Sequence, residues 1–299
     1  MEFNLHRLRL LRELSYRGTI SAVATATSYS PATISQQLAQ LQKEVGAPLL
    51  EPDGRRLRLS SQAQLLVRHT EVVLDRLERA EADIARSLNE VGGTVRMAVF
   101  QTAMLTLVPR ALTLLRERHP ALRIEITQAE PETARSALLP RDYDLVIDEI
   151  YPGYPQPHSE VLDQQLLTED MIRLADTDAI VHKTKLSEYQ DAAWVMELQG
   201  SPAREWTLAI CRTAGFEPDI RYETADMVVQ TRLIEAGHAV AFLPDLMGMD
   251  RPTRIRLHHL APTHRRRIVT TCRSSTRDHP AIQAVRSALQ EAISETTAL

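Results

Sequence analysis

Cysteine and aromatic residues are scarce in this 299-residue chain, which has two cysteines, two tryptophans and 4% aromatics in all. Two cysteines, Cys211 and Cys272, rule out a disulfide framework and make a reducing cytoplasm the expected compartment. Neither has a histidine or second cysteine near it, so no reactive thiol is indicated. So few aromatic rings leave little to stack on single-stranded nucleic acid. No long uncharged apolar run is present, and Glu2, Arg7, Arg9 and Arg12 interrupt the N-terminal segment, which excludes a membrane span and a secretion signal. A Gly-x-Ser-x-Gly elbow is missing, and Gly92-Gly93 lacks the further glycines and the lysine of a phosphate loop. His258, His259 and His264 lie beside Arg265, Arg266 and Arg267, whose charge repels a metal cation. They read as surface histidines, and the arginines as a solvated strand end. No catalytic constellation, metal or other cofactor is expected.

Excess positive charge is lacking, with 35 basic against 39 acidic residues and a formal net charge of -4, which argues against nucleic acid coating the whole surface. Its distribution says more. The first sixty residues carry eight basic against five acidic side chains, so a mildly basic head sits on an acidic body, as local DNA contact requires.

What is present begins in that head. Gly18-Thr19-Ile20-Ser21 stops one helix and caps the next, Ala22 to Thr27 is a short Ala-rich helix, and Ser30-Pro31 opens another. Proline suits a first helical position because its missing N–H needs no partner there, and Ser30 caps the N–H groups that follow. From Pro31 to Val45, Ile34, Leu38, Leu41 and Val45 form one inward stripe. Thr33, Ser35, Gln36 and Gln40 occupy the other face, with side chains suited to hydrogen bonding base edges in a major groove. Asp53-Gly54 then marks a hairpin turn, with Arg55, Arg56 and Arg58 placed for phosphates. This is the layout of a winged helix-turn-helix over residues 1–60.

Residues 61–90 lack proline and glycine up to the hinge, and Leu66, Val73, Leu77, Ala80 and Ile84 trace a coiled-coil seam that needs a partner helix. A dimer is expected. Val91-Gly92-Gly93-Thr94 reads as a hinge, opening an effector-size region over 91–299. Strand and helix signals alternate there: strands at 95–100, 122–129 and 143–147 with helices at 103–118 and 132–139 predict a βαβαβ block. After the irregular Tyr151-Pro152-Gly153-Tyr154-Pro155-Gln156-Pro157, a second α/β block has strands near 165–175, 194–198, 219–222 and 240–243 and helices near 202–214 and 226–236. Residues 267–272 and a terminal helix at 281–293 return to the first block. The fold class is thus α/β behind an all-α winged head, with two lobes linked by crossovers: lobe one at about 94–164 and 268–299, lobe two at about 165–267.

Several stretches together resemble the LysR-type transcriptional regulators. The N-terminal signature is similar to Ser30-Pro31-Ala32-Thr33-Ile34-Ser35-Gln36-Gln37-Leu38, Gly46-Ala47-Pro48-Leu49-Leu50 and the wing Gly54 to Ser60. Pro52 and Leu50 depart from the residues usual there. In the C-terminal part the resemblance runs through Thr94 to Met97, Gln101-Thr102, Leu107-Val108-Pro109, Arg141 to Ile147 and Ile234 to Asp245. It implies paired linker helices and a two-lobed effector domain like that of periplasmic binding proteins.

Ligands of open α/β sheets settle where helix N-termini meet strand ends. Gln101-Thr102, Gly200-Ser201 and Thr224-Ala225-Asp226 meet that description, which favours a small carboxylate. Glu149 could instead receive an amine, so an amino acid or another cation stays open. The sequence therefore predicts a dimeric or tetrameric regulator binding double-stranded DNA under control of a small molecule, with no membrane partner. Ser30 joins the three wing arginines as a phosphate contact, and half-sites should lie about one helical turn or a multiple apart. The competing expectation is a solute-binding or enzymatic α/β protein carrying an accessory helical domain.

Overall fold

The computed structural model describes residues 3–53, 56–88, 91–154, 159–177, 185–247, 254–259 and 263–297, in two compact units, Met1–Leu88 and Asn89–Leu299. Among the described residues no helix is long and apolar enough to cross a membrane.

In the first unit, α1 (Leu5–Arg17) starts where the Asn4 side chain accepts from the His6 and Arg7 amides, and ends at Gly18. Gly18 has a φ of 74°, a left-handed value that an L side chain adopts at a cost. α2 (Ile20–Thr27) is capped by Thr19, and α3 (Pro31–Val45) by Ser30, whose hydroxyl accepts from the Thr33 amide. Ile34, Leu38 and Leu41 are buried and pack with Leu11, Leu14 and Val23 into one core. β1 (Leu50–Asp53) and β2 (Arg56–Leu59) form an antiparallel wing in which Asp53 pairs with Arg56. The tip residues 54 and 55 lie outside the described residues, and Arg55 with them.

α4 (Ser61–Ser87) follows, capped by Ser60, whose hydroxyl also donates to the Pro48 carbonyl. The buried Arg12 fixes this helix to α1: its Nε donates to Glu71 at 2.6 Å and its Nη1 to Glu13 at 2.9 Å. Of the predicted seam, Leu66 packs on the head's core, whereas Val73, Leu77 and Ile84 are exposed on the single chain.

The second unit is built on a seven-stranded sheet. β3 (Gly93–Val99) lies between β4 (Leu122–Gln128) and β5 (Leu145–Ile150), all parallel, with α5 (Gln101–Thr106), α6 (Val108–Arg118) and α7 (Pro131–Ser136) in the crossovers. β6 (Leu162–Thr177) is sixteen residues long and serves both lobes. The second lobe adds β7 (Ala193–Met196), α8 (Pro202–Thr213), β8 (Asp219–Glu223), α9 (Met227–Glu235), β9 (Ala241–Pro244) and β10 (Ile255–His258). β7 and β8 pair in parallel, while β9 and β10 run antiparallel to the far half of β6. β11 (His264–Arg273) returns antiparallel to both β6 and β5, with a register shift at Ile268/Val269, and α10 (Pro280–Thr297) closes the chain. The lobe bounds drawn at 164/165 and 267/268 therefore fall inside two continuous strands. β6 and β11 carry the connection between the lobes as a paired ribbon.

Two expectations fail here. Arg266 is not part of a solvated strand end: it is 3% exposed while Arg265 and Arg267 point out, because the period-two alternation of β11 runs back from the buried Ile268. Of the histidines, His259 is exposed as expected, but His258 and His264 are not bare surface groups. His258 hydrogen bonds to the buried Asp176 at 2.8 Å, since β10 pairs with the end of β6, and His264 sits edge-on to Trp206 at 5.3 Å.

Candidate functional site

On the head, the outward face of α3 presents Ser35, Gln36 and Gln40, all exposed, with Thr33 half-buried. The Ser30 and Thr33 hydroxyls share a hydrogen bond of 2.8 Å, so the cap that starts the helix also orients its first polar side chains. Gln37 is turned to α1, where its carbonyl accepts from Arg7 Nε at 3.0 Å, and Arg7 also pairs with Glu44. Much of the basic count is thus spent inside the fold. Arg12 is buried, Arg17 pairs with Glu13 at 2.7 Å, and Arg58 on the wing pairs with Glu51 at 2.7 Å while staying exposed. The Arg56 backbone lies in β2.

In the second unit the predicted residues fall into three neighbouring groups. Gln101, Thr224 and Asp226 form a clasp across the cleft. Gln101, on lobe one, donates from Nε2 to Asp226 at 2.9 Å and accepts from the Met227 amide at 2.7 Å. Asp226 in turn caps α9 by accepting from the Val228 and Val229 amides, and Thr224 accepts from the Asp226 amide. The Gln101 hydrogen bond leads the effects that hold the Asp226 carboxyl below its ordinary range.

Thr102 and Glu149 converge on Arg266. This guanidinium donates to Asp170 at 2.8 Å, to the Thr102 hydroxyl at 2.8 Å and to Glu149, and lies 5.3 Å from the Phe100 ring centroid. Burial works against its charge, but attraction to Glu149, Tyr151 and Asp170 outweighs that and raises its pKa. Burial pushes the Glu149 and Asp170 carboxyls up, with Arg266 pulling both back. Thr102, 2% exposed, is an acceptor for Arg266 and no cap of α5.

Gly200 and Ser201 form the third group. Gly200 takes a φ of 88° to enter the turn, and Ser201 caps α8 by accepting from the Arg204 amide at 3.2 Å. Beside them a small cavity of about 30 Å³ is lined by Tyr151, Glu197, Arg204, Trp206, Gln230 and Phe242 among others. Burial, then the charge of Glu149 across the cleft, pushes the Glu197 carboxyl up to about 7, with a Ser201 hydrogen bond opposing.

Arg266, Tyr151, Glu197, Trp206 and Gln230 escaped the reading by motif. For Arg266 the alternation into Ile268 was a usable signal. The others owe their place to chain crossings that leave no local mark.

A family profile described as the LysR substrate binding domain matches residues 88–294, and one described as the bacterial regulatory helix-turn-helix protein, lysR family, matches residues 5–64. The transcriptional dual regulator GltC of Bacillus subtilis is 25% identical over 244 residues, 81% of this chain and 80% of that protein. A probable hydrogen peroxide-inducible genes activator of Mycobacterium avium is 24% identical over 276 residues, 90% of this chain and 88% of that protein. The structure of a full-length OxyR variant from Pseudomonas aeruginosa superposes with a TM-score of 0.68 at 17% identity, covering 97% of this chain and 95% of that one.

Proposed function

We infer the working parts of this protein from one premise: the chain belongs to the LysR family of bacterial transcriptional regulators. It is a DNA-binding regulator whose C-terminal domain takes a small-molecule effector. Thr33, Ser35, Gln36 and Gln40 read base edges, while Ser30, Arg55, Arg56 and Arg58 hold phosphates, which fix position without conferring specificity. The observation that carries this reading is the division of α3, with Ile34, Leu38 and Leu41 buried and Ser35, Gln36 and Gln40 exposed behind one cap. The exposed Val73, Leu77 and Ile84 of α4 seat a second copy, giving a dimer or a tetramer that acts in the cytoplasm on two half-sites.

The effector enters between the lobes, where Gln101, Thr102, Glu149, Gly200, Ser201, Thr224 and Asp226 surround the cleft. Closure that depends on ligand changes the DNA affinity of the head, and by reciprocity operator DNA changes the ligand's affinity. Footprinting on DNA upstream of the protein's own gene tests the reading: protection of a specific site supports it, and uniform weak binding to all fragments overturns it.

Peroxide, raised by the Mycobacterium avium relative, does not fit thiol chemistry here. Cys211 lies in a core of lobe two and Cys272 in the core of lobe one, both buried. Burial pushes their thiols up to about 12 and about 11, so neither offers the accessible thiolate that oxidation requires.

A further inference from the structure

The walls of the cleft are dominated by hydrogen-bond acceptors and ring faces. Among the described residues, the two arginines at the cleft, Arg266 and Arg204, are already engaged. Arg266 is divided among Glu149, Asp170 and Thr102. Arg204 donates to the Glu197 carbonyl at 3.1 Å and to the Glu223 carboxylate at 3.0 Å. The N-termini of α9 and α8 are partly taken as well. α9 has its first amides satisfied by Asp226 and Gln101, and α8 opens with Ser201 and a proline that has no N–H to offer.

Gln230 points the same way independently. It is 3% exposed, lines the cavity, and donates from Nε2 to the Thr224 carbonyl at 2.9 Å. That bond fixes the amide's orientation, so its oxygen is an acceptor. Among the described residues no hydrogen bond ends on that oxygen, which is not sealed from solvent and so stays open to a donor entering the cavity. Glu197 stands on the same wall with the rings of Tyr151, Trp206 and Phe242, of which Tyr151 and Trp206 lie 5.8 Å apart and Trp206 and Phe242 5.1 Å. Carboxylates, an amide oxygen and aromatic faces complement a desolvated organic cation.

We propose that the effector carries an ammonium or guanidinium group, bound between Glu197 and Gln230 of lobe two with the aromatic wall beside it. The proposal rests on the cleft being the effector site. Such a ligand neutralises a carboxylate that otherwise repels Glu149 across the gap, and so favours the closed pair of lobes.

The test uses the full chain with putrescine, agmatine and L-lysine against glutarate and 1,4-butanediol. Calorimetry gives affinities, and tryptophan emission, assigned by comparison with Trp206→Phe, reports the cavity. At least one cation binds, its affinity falls about tenfold or more in Glu197→Gln and in Gln230→Leu, and its addition changes operator affinity. Unfolding transitions confirm that each variant is folded. Binding of glutarate alone, weakened by Trp206→Phe, overturns the cationic class while leaving the cleft as effector site. A cation that binds wild type and both variants equally places the site elsewhere and overturns both readings. Failure of all three cations to bind at millimolar concentration overturns the class.

Discussion

Replacing Glu197 by glutamine removes a charge from the cleft and leaves the side chain's shape in place. In the folded chain burial, followed by the charge of Glu149, moves this carboxyl from its ordinary 4.5 up to about 7. Glu130 and Arg266 also face it, the first adding to the shift and the second opposing it along with the Ser201 hydrogen bond. A folded-state pKa above the unfolded one means that between those values the folded chain keeps a proton the unfolded chain has lost, so raising the pH through that window costs stability. At about 1.4 kcal/mol per pKa unit the full shift amounts to about 3 kcal/mol. Glu197 is partly open to the cleft, and screening by water reduces the expected effect to about 1–2 kcal/mol. Thermal melts followed by circular dichroism read this directly. The variant should melt about 2–8 °C above wild type near pH 8, and the gap should close toward pH 5. Parallel curves over that range, or a variant less stable near pH 8, would refute the electrostatic account of the cleft.

Other perturbations address the remaining parts. Arg266→Met leaves Glu149 and Asp170 buried without their cation and should destabilise the effector domain by about 3–5 kcal/mol, seen as a lower melting temperature; a near-normal melt would show that the cluster is not held by this charge. Gln101→Ala opens the clasp, so the Met227 amide should exchange hydrogen roughly five- to tenfold faster in native-state exchange, with unchanged protection sinking the idea. Ile84→Asp should shift the chain toward monomer in analytical ultracentrifugation, because it puts a charge on the apolar face of α4, and an unaltered distribution would place the dimer contact elsewhere.

Local signals made the head legible. The Ile34, Leu38, Leu41 stripe and the Ser30 cap with Pro31 act within a few turns of chain, and α3 forms where they predict it. The hairpin was readable for the same reason. The basic face was not, because Arg12 is committed to Glu71, 59 residues away, and Arg7 to Glu44, 37 away. Charge counting cannot see partners at that distance.

The cleft follows the same division. Ser201 and Asp226 were legible as residues at helix starts, where they prove to be caps set by the next three residues, and Gln101 stood out only as a strand-to-helix residue. Its partner Asp226 is 125 residues away, and Arg266 meets Asp170 and Glu149 across 96 and 117 residues. Those meetings come from the β6–β11 ribbon, whose length and register no motif records. The anion expected at the helix ends was reasonable for bare N-termini. Asp226 and Gln101 occupy one of those ends, at α9.

The central claim is that the exposed side of α3 reads the edges of a DNA duplex, and binding of Gln36→Ala to specific and to random fragments tests it most directly. The account predicts a loss of about 1–3 kcal/mol on the specific site with little change on random DNA. An equal loss on both would contradict it.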